Sequence, residues 1–388
     1  MDFSEPEHWA TLRREAEEFA AAHVTETMIV EELESGDGAN RDLMRALGER
    51  GWIAPNWPVA EGGAGLDGME AAIISDAIRR AGGPTIGYGT TLLPANAIRA
   101  MGSPALKETI LPNVARGETL ICLGYTEPEG GSDVFQCATR SVRDGDEWVI
   151  NGQKMFTTFG HLADYCFLLT RSDPRSRGPH GLTMFLVPMS TAGIEHQAVQ
   201  TMGYERTNVV FYTDVRVDDF YRVGEVDGGL HVMRAALEAE QNIAPAARTP
   251  PLFEAACAWA EQAAGPDGTR MIDDPRVRDR LARLAIDAEV TELLGLRAAY
   301  FEDLGLKPGP HAGLYGPETY VAWSSEIADM VGPEALVPWT DPEAVTHGTF
   351  EFHYRSAVAS TIYGGSSEVL RSLIAEQHLG LPRSRPKV

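Results

Sequence analysis

Four stretches carry the residue types that could do chemistry. The first, GYTEPEGGSD (124–133), sets the hydroxyls of Thr126 and Ser132 around Gly130-Gly131, where the backbone can be approached closely, and Asp133 can anchor the loop. The second, NGQKMFTTFG (151–160), places Phe156 and Thr158 on one face of an extended segment. An aromatic face beside hydroxyl donors suits a flat heteroaromatic ring, although a plain inter-domain loop and a core phenylalanine fit the same residues. The third, TIYGGSSEVLR (361–371), is a turn of two glycines and two serines opening a final helix that carries Glu368. The fourth is one carboxylate, Glu240, within HVMRAALEAEQNIAPAA (231–247).

Glu240 stands out by helix geometry. At about 100° per residue, Met233, Leu237, Glu240 and Ala244 form one stripe, and Val232, Ala236, Ala239 and Ile243 form the next. Glu240 thus falls in the apolar sector and Glu238 outside it. A helical glutamate is ordinarily solvated; one on an apolar face needs a partner or a purpose. Partial desolvation raises a carboxyl pKa, as a general base near neutral pH requires.

Other chemistries find no support. No GxGxxG follows a strand pattern and GxxxxGK[ST] is absent, so Rossmann and P-loop sites are not indicated. The ten histidines and four cysteines lack metal-ligand spacing, and no metal is expected. Cys122, Cys137, Cys166 and Cys257 read as buried reduced thiols. A formal charge of −23 argues against nucleic acid. No apolar run reaches the roughly 18–20 residues of a membrane span, and the acidic start lacks signal-peptide order. A cytoplasmic protein is the expectation.

The elements that must position these residues follow an α, β, α order, an α+β class. Three-to-four apolar spacing predicts helices at 11–24, 41–52 and 68–83, and Ser103-Pro104 caps another that ends near Gly117. From 119 to 226 the period becomes two. Strands are expected in the 139–159 stretch, with turns at Asp144-Gly145-Asp146 and Asn151-Gly152, and in YCFLLTR, GLTMFLVPM and VVFYTDVRV. Gly228-Gly229 opens helices that continue to about 380. The expected domains are 1–118 (helical), 119–226 (β) and 227–388 (helical bundle).

Over essentially its whole length the chain resembles the acyl-CoA dehydrogenases. YTEPEGGSD, INGQKMFTT, MGYERTNVVFYTDVRV and IYGGSSEVLRSLIAEQHLG match that family's signatures in order. The resemblance implies an N-terminal helical domain, a middle β-barrel or sandwich and a C-terminal four-helix bundle. It implies FAD, with Leu123, Tyr125, Thr126, Gly131 and Ser132 lining flavin and thioester, and Phe156, Thr157 and Thr158 along the ring. Tyr363, Gly365, Ser366 and Glu368 would approach the cofactor from the last helix, and Ser132 and Gln241 would contact substrate. The implied reaction is α,β-dehydrogenation of an acyl-CoA: a carboxylate takes the α-proton while the β-hydrogen leaves as hydride. The thioester oxygen is polarised by a flavin hydroxyl and by the backbone N–H at Gly364.

Most of the family carries the catalytic glutamate at Gly364. A smaller group, resembling isovaleryl-CoA, long-chain and steroid-degrading dehydrogenases, has glycine there and keeps the base on the helix leaving the β-domain, at the position matching Glu240. Gln241 replaces the arginine that usually follows. Two cofactor contacts that the family extends to a neighbouring subunit are also altered: Ala264 stands for an arginine, with Arg270 nearby, and Asp329 for a glutamine. The chain therefore reads as a dehydrogenase of a branched or bulky, steroid-type acyl-CoA that passes electrons to an electron-transfer flavoprotein. It would work as a homo-oligomer or as an α2β2 hetero-oligomer with a related subunit. An acyl-CoA oxidase and a structural subunit with a decayed site are the alternatives.

Overall fold

The computed structural model describes residues 6–242 and 249–382; the side chains of 237–242, 249, 250 and 302 lie outside the description. Six helices come first: α1 (Glu7–His23), α2 (Glu26–Ser35), α3 (Arg41–Glu49), α4 (Gly68–Arg80), α5 (Ile86–Met101) and α6 (Pro104–Ala115). Their starts are written locally. Asn40 caps α3, Asp67 and Glu70 form a capping box on α4, and Ser103 accepts from the Leu106 N–H ahead of α6 with Pro104 in its first turn. Helices α2 and α5 are additional to the sequence expectation. α5 is apolar nearly all round, which hides any helical stripe, and it keeps Pro94 in its interior.

Eight strands follow: β1 (Ile121–Gly124), β2 (Arg140–Asp144), β3 (Glu147–Lys154), β4 (Tyr165–Arg171), β5 (Leu182–Pro188), β6 (Ile194–Gln200), β7 (Arg206–Asp218) and β8 (Arg222–Val223). They form one sheet in the order β6-β7-β3-β2-β4-β5-β8, with β1 parallel to β4. The expected turn at 144–146 is the β2–β3 hairpin, which pairs Asp144 with Glu147.

Asn151-Gly152 is not a turn. Both residues lie inside β3, where the register against β7 shifts between Ile150 and Gly152. Gly152 takes φ +153, and a Cβ there would lie 2.5 Å from Thr139 Oγ1. Asn151 exchanges two side-chain bonds with Asp214, itself at φ +48. The turn signal marks a β-bulge. Phe156 and Thr158 also leave the expected strand, because β3 ends at Lys154. Beyond it the chain bends, with Phe156 at φ +58 and Phe159 at φ +44.

Helix α7 (Gly229–Asn242) comes next, then α8 (Thr249–Gln262), α9 (Pro275–Asp303), α10 (His311–Val331), α11 (Thr349–Ser356) and α12 (Ser367–Leu373). Two compact units result: 1–201 with 205–240, and 202–204 with 241–388. The first has one core running from Phe19, Leu47 and Ile98 through Phe167 and Phe185 to Val232 and Met233 of α7. The second is built on Leu252, Trp259, Leu284, Tyr320, Trp323 and Phe350. Inside it Asp287 accepts from the Tyr315 hydroxyl (2.6 Å) and the Trp323 indole (2.5 Å).

Candidate active site

The hydroxyl loop and the aromatic turn meet in the first unit. β1 and β4 lie side by side and place Leu123, half-buried, next to Phe167; Tyr125 packs edge-on to the same ring at 6.2 Å. The Met155 N–H donates to the Thr126 carbonyl at 2.8 Å, so residue 126 and the start of the 155–160 turn share one hydrogen bond. Thr157 is completely buried, Thr158 half-buried, and Phe156 presents 56% of its surface to solvent. Gly131 and Ser132 sit at the exposed tip of the loop, where Glu127 and Gly130 pair across a tight turn and Asp133 accepts from Gln136.

A buried ion pair holds this arrangement. Lys154, the last residue of β3, is completely buried, and its ammonium donates to Glu127 Oε1 (2.8 Å) and to the Tyr125 carbonyl (3.2 Å). Glu127 also accepts from the N–H groups of Ala138 (2.6 Å) and Thr139 (2.9 Å) and from the Cys137 thiol (3.2 Å). Burial by itself pushes the Glu127 carboxyl up. The charge and bond of Lys154, with the Ala138 N–H, outweigh it and bring the pKa down to about 2. Cys137 moves the other way, to about 11, chiefly through burial. Arg171 of β4 ties the far end of the loop, donating to the Phe135 carbonyl at 2.7 Å.

Neither Glu127 nor Lys154 was singled out by sequence reading. Their signal is parity: Trp148, Ile150 and Lys154 share one face of β3, and a lysine in the register of buried residues needs an anion.

The second unit supplies the other stretch. Ser366 caps α12 by accepting from the Val369 N–H, and Gly364 and Gly365 take φ +68 and +104. Tyr363 and Glu368 are exposed, and a cleft of about 330 Å³ is lined by Thr361, Ile362, Ser366, Glu368 and Arg371. The Glu368 carboxyl is held below its ordinary range, first by a backbone N–H and then by Ser366, which makes it a poorer proton acceptor. Asp329 faces Arg280 at 3.0 Å, and Arg270 is engaged by Asp273 at 3.0 Å.

Glu240 lies on α7, seven residues after Met233 and four after Ala236, both buried, so it continues their face. Its side chain and that of Gln241 lie outside the description, as does Pro245.

The site residues fit a flavin by their own chemistry. Phe156 offers an exposed aromatic face, and the hydroxyl residues Thr126 and Thr158 are half-buried. A Cβ at Gly131 would meet nothing within 4 Å, so no packing within the chain demands glycine there.

The helical, β-sheet and helical segments in this order are the architecture of a dehydrogenase family. Acyl-CoA dehydrogenase sequence profiles match in order: the N-terminal domain over 6–118, the middle domain over 122–219 and the C-terminal domain over 227–379. The chain belongs to the acyl-CoA dehydrogenase family and is an oxidoreductase. It is similar to acyl-CoA dehydrogenase FadE26 of Mycobacterium tuberculosis, at 33% identity over 96% of this chain and 97% of that one. Among solved structures it is similar to the ChsE4-ChsE5 complex from Mycobacterium tuberculosis, at 32% identity and a TM-score of 0.91, covering 99% of this chain and 100% of that one. The Tcur3481-Tcur3483 steroid ACAD matches at 31% identity and a TM-score of 0.89 over the same shares. Among the described residues, no helix is long and apolar enough to cross a membrane.

Proposed function

We propose that this chain binds FAD and dehydrogenates the α,β bond of a bulky acyl-CoA of the steroid side-chain type, with Glu240 as the base. The observation that carries the cofactor reading is the junction of the Thr126 loop with the Phe156–Thr158 turn through one backbone bond, which sets the exposed Phe156 and the half-buried Thr126 and Thr158 on joined segments. FAD, when bound, supplies the acceptor for the β-hydrogen and its electron pair. The chain's own part is to hold Phe156 and the threonine hydroxyls at the ring and to take the α-proton on the Glu240 carboxylate. The Gly364 N–H is a donor whatever side chain stands there, so it remains available to the thioester oxygen, where charge develops.

The substrate class is supported by the similarity to the steroid ACAD, and Gly364 by placing the chain in the group that lacks the usual glutamate. Assembly with a related subunit is supported by the ChsE4-ChsE5 complex and by Ala264. Asp329, already engaged by Arg280, offers little to a neighbour's pyrophosphate. We further propose that electrons pass to an electron-transfer flavoprotein.

The test is anaerobic flavin bleaching by a panel of straight, branched and steroid side-chain acyl-CoAs, with Glu240→Gln alongside. The expected result is fastest bleaching by the bulky thioesters. Glu240→Gln should keep FAD and slow bleaching about 10²–10⁴-fold. Wild-type bleaching by that variant would remove Glu240 from the role, and a straight-chain optimum would remove the substrate class.

A further inference from the structure

The turn at 156–160 is held from behind by Asn208, within the 202–217 stretch, and by His161 and Asp37, which lie outside the quoted family signatures. Thr157 and Asn208 of β7 are tied twice: the Thr157 N–H donates to the Asn208 carbonyl at 2.9 Å, and Asn208 Nδ2 donates to the Thr157 carbonyl at 3.0 Å. Asn208 is completely buried. Its second amide hydrogen reaches His161 Nδ1 at 3.3 Å, and His161 Nε2 meets Asp37 Oδ1 at 2.8 Å. The pattern fixes the histidine as the neutral tautomer, with Nε2–H donating to Asp37 and Nδ1 accepting from Asn208.

Such a clamp has a reason to exist. Phe156 at φ +58 and Phe159 at φ +44 are bulky residues in the left-handed region, and Phe159 is fully buried. Backbone of this kind persists only where its surroundings over-determine it. With its amide nitrogen spent on Thr157 and His161, Asn208 leaves its Oδ1 buried without a partner, and Thr157 Oγ1 is likewise unpartnered.

We infer that Asp37, His161 and Asn208 form a positioning relay for the flavin-side turn, and that protonation of His161 releases it and weakens FAD retention. This rests on the reading of 156–158 as the flavin face. A proton on Nδ1 turns an acceptor toward a donor, so the His161–Asn208 bond is lost and Asn208 is freed to rotate away from Thr157. The groups facing His161 are Asp37 on the α2–α3 connection, Arg206 on β7 and His196 on β6; Glu32 lies near Asp37, and Glu205 near Glu32. Burial, then Arg206, lowers the His161 pKa against the pull of Asp37. A histidine lowered on folding contributes fully above its unfolded value of about 6.5, and the contribution fades as pH falls from there toward the folded value.

The test uses the FAD-loaded protein, with its partner subunit where loading needs one, and reads FAD dissociation by recovery of free-flavin fluorescence across that pH window. Wild type should retain FAD above about pH 7 and lose it progressively below about 6.5. Asn208→Ala should weaken retention on the order of tenfold at the upper pH, the scale of one lost buried hydrogen-bond partner. Should that variant fail to fold, Asn208→Ser and His161→Gln carry the test. His161→Gln, which cannot titrate, should lose the pH dependence of FAD retention. Identical pH profiles for wild type and His161→Gln, or wild-type retention by the Asn208 variants, overturn the relay. Failure to take up FAD at any pH overturns the flavin reading and the relay with it.

Discussion

Replacing Lys154 by methionine isolates the interaction on which the hydroxyl loop depends. The ammonium and Glu127 are 2.8 Å apart with side-chain exposures of 0% and 7%, so water screens the pair little. The Glu127 carboxyl falls from 4.5 to about 2 on folding. At about 1.36 kcal/mol per unit, this is about 3 kcal/mol of stabilisation. A depressed carboxylate gives that contribution above about pH 4.5 and loses it as the pH falls through about 2. Removing one member of a buried pair independently costs about 3–5 kcal/mol, because the other charge stays buried. Lys154→Met should therefore lose about 3 kcal/mol or more in urea titrations at neutral pH, followed by tryptophan fluorescence. Glu127→Leu with Lys154→Met should lose less than Lys154→Met alone, since no charge remains to be desolvated. A single variant within about 0.5 kcal/mol of wild type, or a double variant below it, would refute the reasoning.

Two further substitutions separate packing from ligand binding. Gly152→Ala drives a Cβ to 2.5 Å from Thr139 Oγ1 and should cost about 1–3 kcal/mol in the same titration, whereas Gly131→Ala meets open space and should cost under about 0.5. If Gly131→Ala nonetheless weakens FAD binding, measured by fluorescence quenching, that space belongs to the cofactor; unchanged binding would count against Gly131 in the site. Glu32, pushed up to about 7 mainly by burial, is favoured protonated in the folded state, so ionising it destabilises the fold as pH rises from 4.5 through about 7. Glu32→Gln should raise the urea midpoint at pH 8 and leave it unchanged at pH 4 in parallel denaturations. In a Glu240→Gln background, Gly364→Glu must hold a side chain at φ +68, a cost of about 1–2 kcal/mol, so stopped-flow reduction should recover only part of the lost rate.

The α+β order was legible because period and punctuation change where the fold changes: caps at Asn40, Asp67 and Ser103 mark helix starts, two-residue alternation marks β3 and β7, and short apolar runs mark β4 and β5. β6 was not, since IEHQAVQ is an exposed edge strand with no buried face to impose alternation. Asn151-Gly152 misled for a related reason: the dipeptide reports backbone freedom, and whether it makes a turn or a bulge depends on β7 lying alongside. At the candidate site, the residues proposed to touch a ligand came from hydroxyl and aromatic chemistry and from the family resemblance, while those that hold them in place gave no such signal. Glu127 meets Lys154 across 27 positions and Asp37 meets His161 across 124, and no local pattern encodes such pairings.

The absence of a carboxylate at Gly364 constrains where the base can stand more than it weakens the case for an enzyme. A base for an α-proton must be ionised before substrate arrives and must not be so well solvated or hydrogen-bonded that it holds no proton affinity. Glu368 fails on the second count: it is exposed, and its pKa is lowered by the helix N-terminus and Ser366. Glu127 fails on the same count more severely, with every nearby donor and a lysine spent on its anion. Glu240 differs from both in position: it lies on α7, seven residues after Met233 and four after Ala236, both buried. Loss of solvent raises a carboxyl's proton affinity, and Glu240→Gln is the variant that tests whether this position supplies the proposed base. Gly364 can then serve through its backbone alone, and a position whose φ favours glycine need not carry a side chain for the reaction to have its base.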